Sequence, residues 1–208
     1  MNKDIDTIFK EKNREILINN LKYDLDKNVV SLLDTITNIF NLEYDIAIKN
    51  ILTILGDASI DDGASFVTKA INEMKLSDYN YVDEIVKNKK DILLNKIDEL
   101  SFEEEDMNKY YDLVFDTTTK LKNDLNYHFS EVFEASDIKL DMFIVDNTKD
   151  SEQDIANSRV TDYLKNRLYG KLETKIHMEI MIRDNNLINK AKESYLRYQE
   201  ITNRTVNN

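Results

Sequence analysis

The sequence predicts a mainly α, multi-helix domain built from long helices, with a small two-stranded β element as one of two options for its last third. Three observations carry this. The 208 residues contain no Pro and only three Gly, where ordinary usage of about 5% would give ~10 Pro, so the two strongest helix breakers are nearly missing. Apolar residues recur at spacings of three and four over most of the length. Leu, Ile, Val and Phe number 62, enough for a modest core under a surface on which 33% of residues are charged.

The elements follow in order. Ile5, Ile8, Phe9, Ile16, Leu17, Leu21 and Leu25 mark a first amphipathic helix over about 4–25. A second and denser one runs from Asn28 to Leu55, with a break expected near Asn41. Gly56 ends it, since Gly closes helices at little steric cost. The stretch 56–63 reads as a loop. A short helix over 64–75 comes next. Ser77 and Asp78 are then candidate caps for another, which carries Val82, Ile85, Val86, Leu93, Ile97 and Leu100. Ser101 with Glu104 fits a capping box, and the acids after it suit the positive end of a helix dipole. The helix they open extends to about Ala135. Its seam is Met107, Tyr111, Val114, Leu121, Leu125, Phe129 and Val132, with Thr118 in the one gap. So narrow a seam asks for a partner helix, either from this chain or from another subunit.

The period then shifts towards two. Ile138, Leu140, Met142 and Ile144 alternate with Lys139 and Asp141, and Ile176, Met178, Ile180 and Ile182 with Lys175, His177, Glu179 and Arg183. Alternation places one set on one face of a strand. This gives two strands, 138–145 and 176–183, around a helix over 151–169 that Gly170 ends, and a last helix over 186–202. The rival reading is one unbroken helix over 151–202 with Gly170 inside it. On the first reading residues 1–136 form a helical domain, and 137–208 form a β-α-β-α or helical segment docked on it. A single domain is the alternative.

Composition narrows the function classes. Absence of Cys excludes disulfide frameworks and thiolate zinc. The net charge of −12 argues against a protein that coats nucleic acid. Charge is also lopsided: residues 1–157 carry a net −16 and residues 158–208 a net +4. Opposite fields of this kind steer association between proteins. No segment reads as a signal peptide or a membrane span, which points to the host cytoplasm or a virion.

Chemistry has few candidate residues. His128 and His177 are the only histidines, and both read as satisfied polar residues rather than catalysts. No phosphate loop or nucleophile elbow occurs. The loop from Asp57 fails the calcium pattern at its sixth and twelfth positions, Asp62 and Thr68. His177-Met178-Glu179 matches the opening of zinc deaminases but lacks their cysteines. Asp141 and Glu179, at equivalent places on the two strands, are the candidate pair for a metal-dependent hydrolase.

One segment carries a likeness. Ile48-Lys-Asn-Ile-Leu-Thr-Ile-Leu-Gly56, Asp61-Asp62 and Phe66-Val67-Thr-Lys-Ala70-Ile71 resemble the opening helices of head–tail connector proteins of tailed phages, over about 25 of the 208 residues. The resemblance implies a helical, ring-forming protein between a portal and a tail. The expectation is therefore a non-enzymatic assembly or adaptor protein, with no cofactor or metal, a homo-oligomer with protein rather than nucleic acid or membrane as its partner. Met107, Tyr111, Val114, Leu121, Leu125 and Phe129 are its expected interface, with Arg183, Lys190, Lys192 and Arg197 as charge partners. A second reading is an acidic mimic of DNA using Asp98, Glu99, Glu103, Glu104, Glu105, Asp106 and Asp112.

Overall fold

The computed structural model describes residues 2–57, 64–100, 104–132 and 150–206. They form α1 (Asn2–Asp57), α2 (Ala64–Asp98), α3 (Glu104–Tyr127), α4 (Asp150–Tyr163) and α5 (Gly170–Val206). Two π-helical turns interrupt the α pattern: π1 (His128–Val132) continues α3, and π2 (Leu164–Tyr169) joins α4 to α5. Among the described residues there is no strand.

The helices are longer than the sequence suggests. Breaks expected near residues 26–27 and 41 do not occur, and neither does the one at 76–77. No Pro or Gly stands at these places to force them. Asn28 donates its side-chain amide to the Arg183 carbonyl at 2.9 Å and caps nothing. Asp78, expected as a cap, is buried inside α2.

Residues 176–183 are helical, which corrects the strand reading of that segment. Ile176 and Ile180, one turn apart, are buried on one face, whereas Met178, Met181 and Ile182 are exposed. The apparent period of two therefore mixes core residues with apolar residues left in water, which folded surfaces tolerate. Gly170 adopts an ordinary right-handed helical conformation (φ −61°, ψ −33°) inside the helical run. The other proposed strand, 138–145, lies outside the described residues.

The chain packs as two compact units: residues 1–33, 86–121 and 179–208, and residues 34–85 and 122–178. Each takes residues from both sides of position 136. In the first unit Leu17, Leu21 and Leu25 of α1 pack with Leu93 and Ile97 of α2, Met107, Tyr110 and Val114 of α3, and Leu187 and Ala191 of α5. The steps of three and four within each helix keep these residues on one face. Lys90 pairs with Asp26 at 3.1 Å, Arg14 donates to the Leu100 carbonyl at 2.8 Å, and Lys22 pairs with Asp98, so α2 runs antiparallel to α1. Lys190 pairs with Asp24 at 3.4 Å, and with the Asn28–Arg183 contact this sets α5 antiparallel to α1 as well.

The second unit has a more aromatic interior. Phe40 stacks on Tyr44 and meets Phe129 at 6.5 Å between ring centres, and Phe129 meets Tyr169 at 5.7 Å. Ile36, Ile51, Ile71, Leu125, Leu164 and Ile176 fill the space around them. The residues of the connector-like segment take part: Ile51, Leu55, Val67, Ala70 and Ile71 are buried here. No helix of the described residues is long and apolar enough to cross a membrane.

Candidate functional site

The most unusual chemistry lies inside the second unit. Four helical runs each bring one polar side chain to a single point. Tyr44 comes from α1, Asp78 from α2, His128 from π1 and Tyr169 from π2, and all four are buried. The Tyr44 hydroxyl donates to Asp78 Oδ2, and the Tyr169 hydroxyl donates to the same oxygen at 3.0 Å. His128 Nε2 lies 2.9 Å from Asp78 Oδ1. Tyr81 stacks on the imidazole with 3.9 Å between ring centres.

Helix geometry explains the convergence. A π turn admits one extra residue and rotates the side chains that follow, and such turns are frequent at functional sites. His128 opens π1 and Tyr169 closes π2, so both chains of donors leave the regular α register where they meet Asp78. Burial pushes both phenols well above the usual tyrosine range, and the adjoining Asp78 charge pushes them the same way. They stay protonated donors at neutral pH.

A second buried acid lies on the same α1 segment. Glu43 is almost fully enclosed and is met by Lys175 and, at 3.8 Å, by Lys171. Two turns on, Asn50 donates to the Tyr163 hydroxyl at 3.2 Å. These contacts fix how α1 faces α4 and α5 within the unit.

The residues expected to bind a partner are placed as follows. Met107, Val114, Leu121, Leu125 and Phe129 are buried inside the chain's own units, and Tyr111 is half-buried. The partner helices of this seam are therefore α1, α2 and α5 of the same chain, at least for Met107 and Val114. The basic residues are engaged nearby. Arg183 meets Glu179 at 3.7 Å, Lys190 meets Asp24, and the Lys192 ammonium sits 5.5 Å from the centre of the Tyr111 ring. Arg197 lines a shallow groove between α1 and α5, with Asn13, Ile16, Asn20, Tyr198 and Ile201.

Asp141, one half of the candidate hydrolase pair, lies outside the described residues; the other half, Glu179, stands on α5 beside Arg183. Among the described residues no group of three or more His, Asp or Glu is placed to hold a metal ion, and the extra oxygens around Asp78 are phenols. Of the acids considered for DNA mimicry, Asp98 pairs with Lys22 and Glu99 with Lys96. Asp112 is exposed, and Glu103 lies outside the described residues, as do the side chains of 104–106.

One surface shows a pattern that the sequence reading did not single out. Phe9, Ile16, Tyr23 and Val30 stand seven residues apart on α1 and are 38, 51, 66 and 61% exposed. Lys12, Asn19 and Asp26, also exposed, run beside them at the same spacing. The heptad interval was readable all along. It was masked by the denser set Leu17, Leu21 and Leu25, which belongs to the core.

Comparison with family models, curated proteins and solved structures finds no match to this chain.

Proposed function

We propose that this protein is a non-enzymatic assembly module that pairs with a second copy of itself through the outer face of α1. The observation that carries the reading is the exposed apolar row Phe9, Ile16, Tyr23 and Val30. A seven-residue repeat is the interval at which one helix lies along another, because it keeps an apolar seam facing the partner. Four large apolar side chains at that interval in water are costly unless something covers them.

The charges beside the row favour a second copy as the partner. With two such helices laid antiparallel about Asn19, Lys12 of each copy meets Asp26 of the other, while Ile16 comes within one residue of the level of Tyr23 and Phe9 within one residue of the level of Val30. Such a face is self-complementary, as a two-fold interface requires. Asp26 already pairs with Lys90, but its side chain is still 54% exposed and can take a second cation.

Light scattering coupled to size-exclusion chromatography tests this. The wild-type chain should run as a dimer, and Ile16→Glu with Tyr23→Glu should run as a monomer with unchanged helicity. A wild-type chain that stays monomeric at its highest soluble concentration, in low and high salt, sinks the proposal. A ring of the connector kind would need a head-to-tail contact and would give a higher mass.

A further inference from the structure

We propose that the groove between α1 and α5 in the first unit binds a small aromatic carboxylate, one ring bearing one carboxylate group. The inference goes beyond the α1 pairing and does not rest on it, since Ile16 alone belongs to both surfaces.

An orphaned donor is the first argument. Asn13 lines the groove, and its amide nitrogen Nδ2 is enclosed without a hydrogen-bond partner. Enclosed donors are almost always satisfied, so one that is not marks a place for an acceptor. The groove has room to bring one, with a free volume of about 140 Å³.

Charge is the second argument. Arg197 and Ser194 line the same groove from α5. Among the described residues no acid lines it, and Arg197 forms no ion pair with any of them. Glu193 and Glu200, one turn to either side of Arg197, are exposed and do not line the groove. A guanidinium fork fits the two oxygens of a carboxylate. The Asn13 amide and the Ser194 hydroxyl add donors for the same head group. One cation balances one negative charge, which favours a carboxylate over a more highly charged phosphate.

The apolar part of the groove is the third. Leu17, which is buried, joins Ile16 and Ile201, which are about half exposed. Tyr198 completes the lining, and its ring is held by stacking on Tyr195 with 6.0 Å between ring centres. An apolar cavity of about 150 Å³ accepts a benzene ring, so the volume here suits a ligand body of that size. A ring seated there covers the two isoleucines and meets an aromatic edge or face at Tyr198. A concave, mostly apolar lining with a few placed donors is the ordinary make-up of a small-molecule site.

The test is titration of the full chain with phenylacetate, followed by NMR of backbone amides, Asn side-chain amides and methyl groups. The expected result is one saturable site with a dissociation constant of about 1 mM or below. The shifts should centre on the Asn13 side-chain amide and on the methyls of Leu17 and Ile201. Arg197→Met keeps the length of the side chain and loses the fork, and should weaken binding by about tenfold. Asn13→Leu should weaken it as well. Lys192→Met, a charge change on α5 outside the groove, should leave it intact. 2-Phenylethanol, which has the ring without the carboxylate, and acetate, which has the carboxylate without the ring, should each bind about tenfold more weakly than phenylacetate.

Absence of saturation by about 10 mM phenylacetate overturns the proposal. So does equal binding of acetate or inorganic phosphate, which would make the groove a general anion site, and so does binding that Arg197→Met leaves unchanged. The shifts are mapped on the wild-type chain, so a variant that fails to fold does not blunt the test: wild-type shifts centred away from Asn13 and Leu17 overturn the site. Light scattering on the same samples reads the mass, which keeps a failure of the α1 pairing distinct from a failure of binding.

Discussion

His128 Nε2 and Asp78 Oδ1, fifty residues apart in the chain, meet at 2.9 Å inside the protein, and the two hydroxyls of Tyr44 and Tyr169 close on the other carboxylate oxygen. Removing the carboxylate leaves three donors without an acceptor. Asp78→Ala should therefore destabilise the fold by about 3–5 kcal/mol, the range for breaking a buried charged contact. Tyr44→Phe removes one donor of three and should cost about 1–2 kcal/mol. Urea midpoints with circular dichroism measure both. An Asp78→Ala midpoint equal to wild type would show that the hub does not stabilise the fold.

The buried phenols make stability sensitive to alkali. Tyr44, Tyr110 and Tyr169 are all raised above the ordinary tyrosine value of 10.0, chiefly by burial. Below about pH 10 both folded and unfolded chains hold these protons, and the contribution to stability is fully present. Above it the unfolded chain releases protons that the folded chain keeps, so stability falls as pH rises. The slope is up to about 1.4 kcal/mol per pH unit for each such tyrosine. Denaturant midpoints measured across pH 9–12 should decline steadily, and Tyr110→Phe should flatten the decline. A flat profile would contradict the burial of these hydroxyls.

The helical class was legible because it depends on local signals: no Pro, few Gly, and apolar steps of three and four. The seam on α3 was legible for the same reason, and five of its six expected interface residues are buried. Whether a seam meets its own chain or a partner is not a local property, so its owner could not be read from spacing. The 176–183 segment misled because exposed Met178 and Ile182 imitate a strand face. Asp78 reads as a cap because an acid after Ser77 is a common helix start. Its actual role depends on residues 34, 50 and 91 positions away, which no window along the sequence connects.

The placement of the α3 seam leads to a contrast within one helix. Leu125 is fully buried and Phe115 is 67% exposed. Leu125→Ala should cost about 2–5 kcal/mol through lost burial and the cavity left behind. Phe115→Ser should stay within about 0.5 kcal/mol of wild type despite removing a larger apolar group. Thermal or urea unfolding of the two variants checks the pair. Equal losses would mean that the outer side of α3 is covered in solution.

Gly170 offers a test of the long helical run. Its backbone is right-handed helical, and a Cβ placed on it meets nothing within 4 Å. Gly in a helix interior costs roughly 0.5–1 kcal/mol relative to Ala, because the unfolded chain loses more freedom when it orders. Gly170→Ala should therefore raise stability by about that amount. The strand reading makes the opposite demand: a glycine closing a helix before a turn takes a left-handed conformation, and Ala there is strained. A higher unfolding midpoint for Gly170→Ala supports continuity from π2 into α5, and a lower one would place a helix end at this residue.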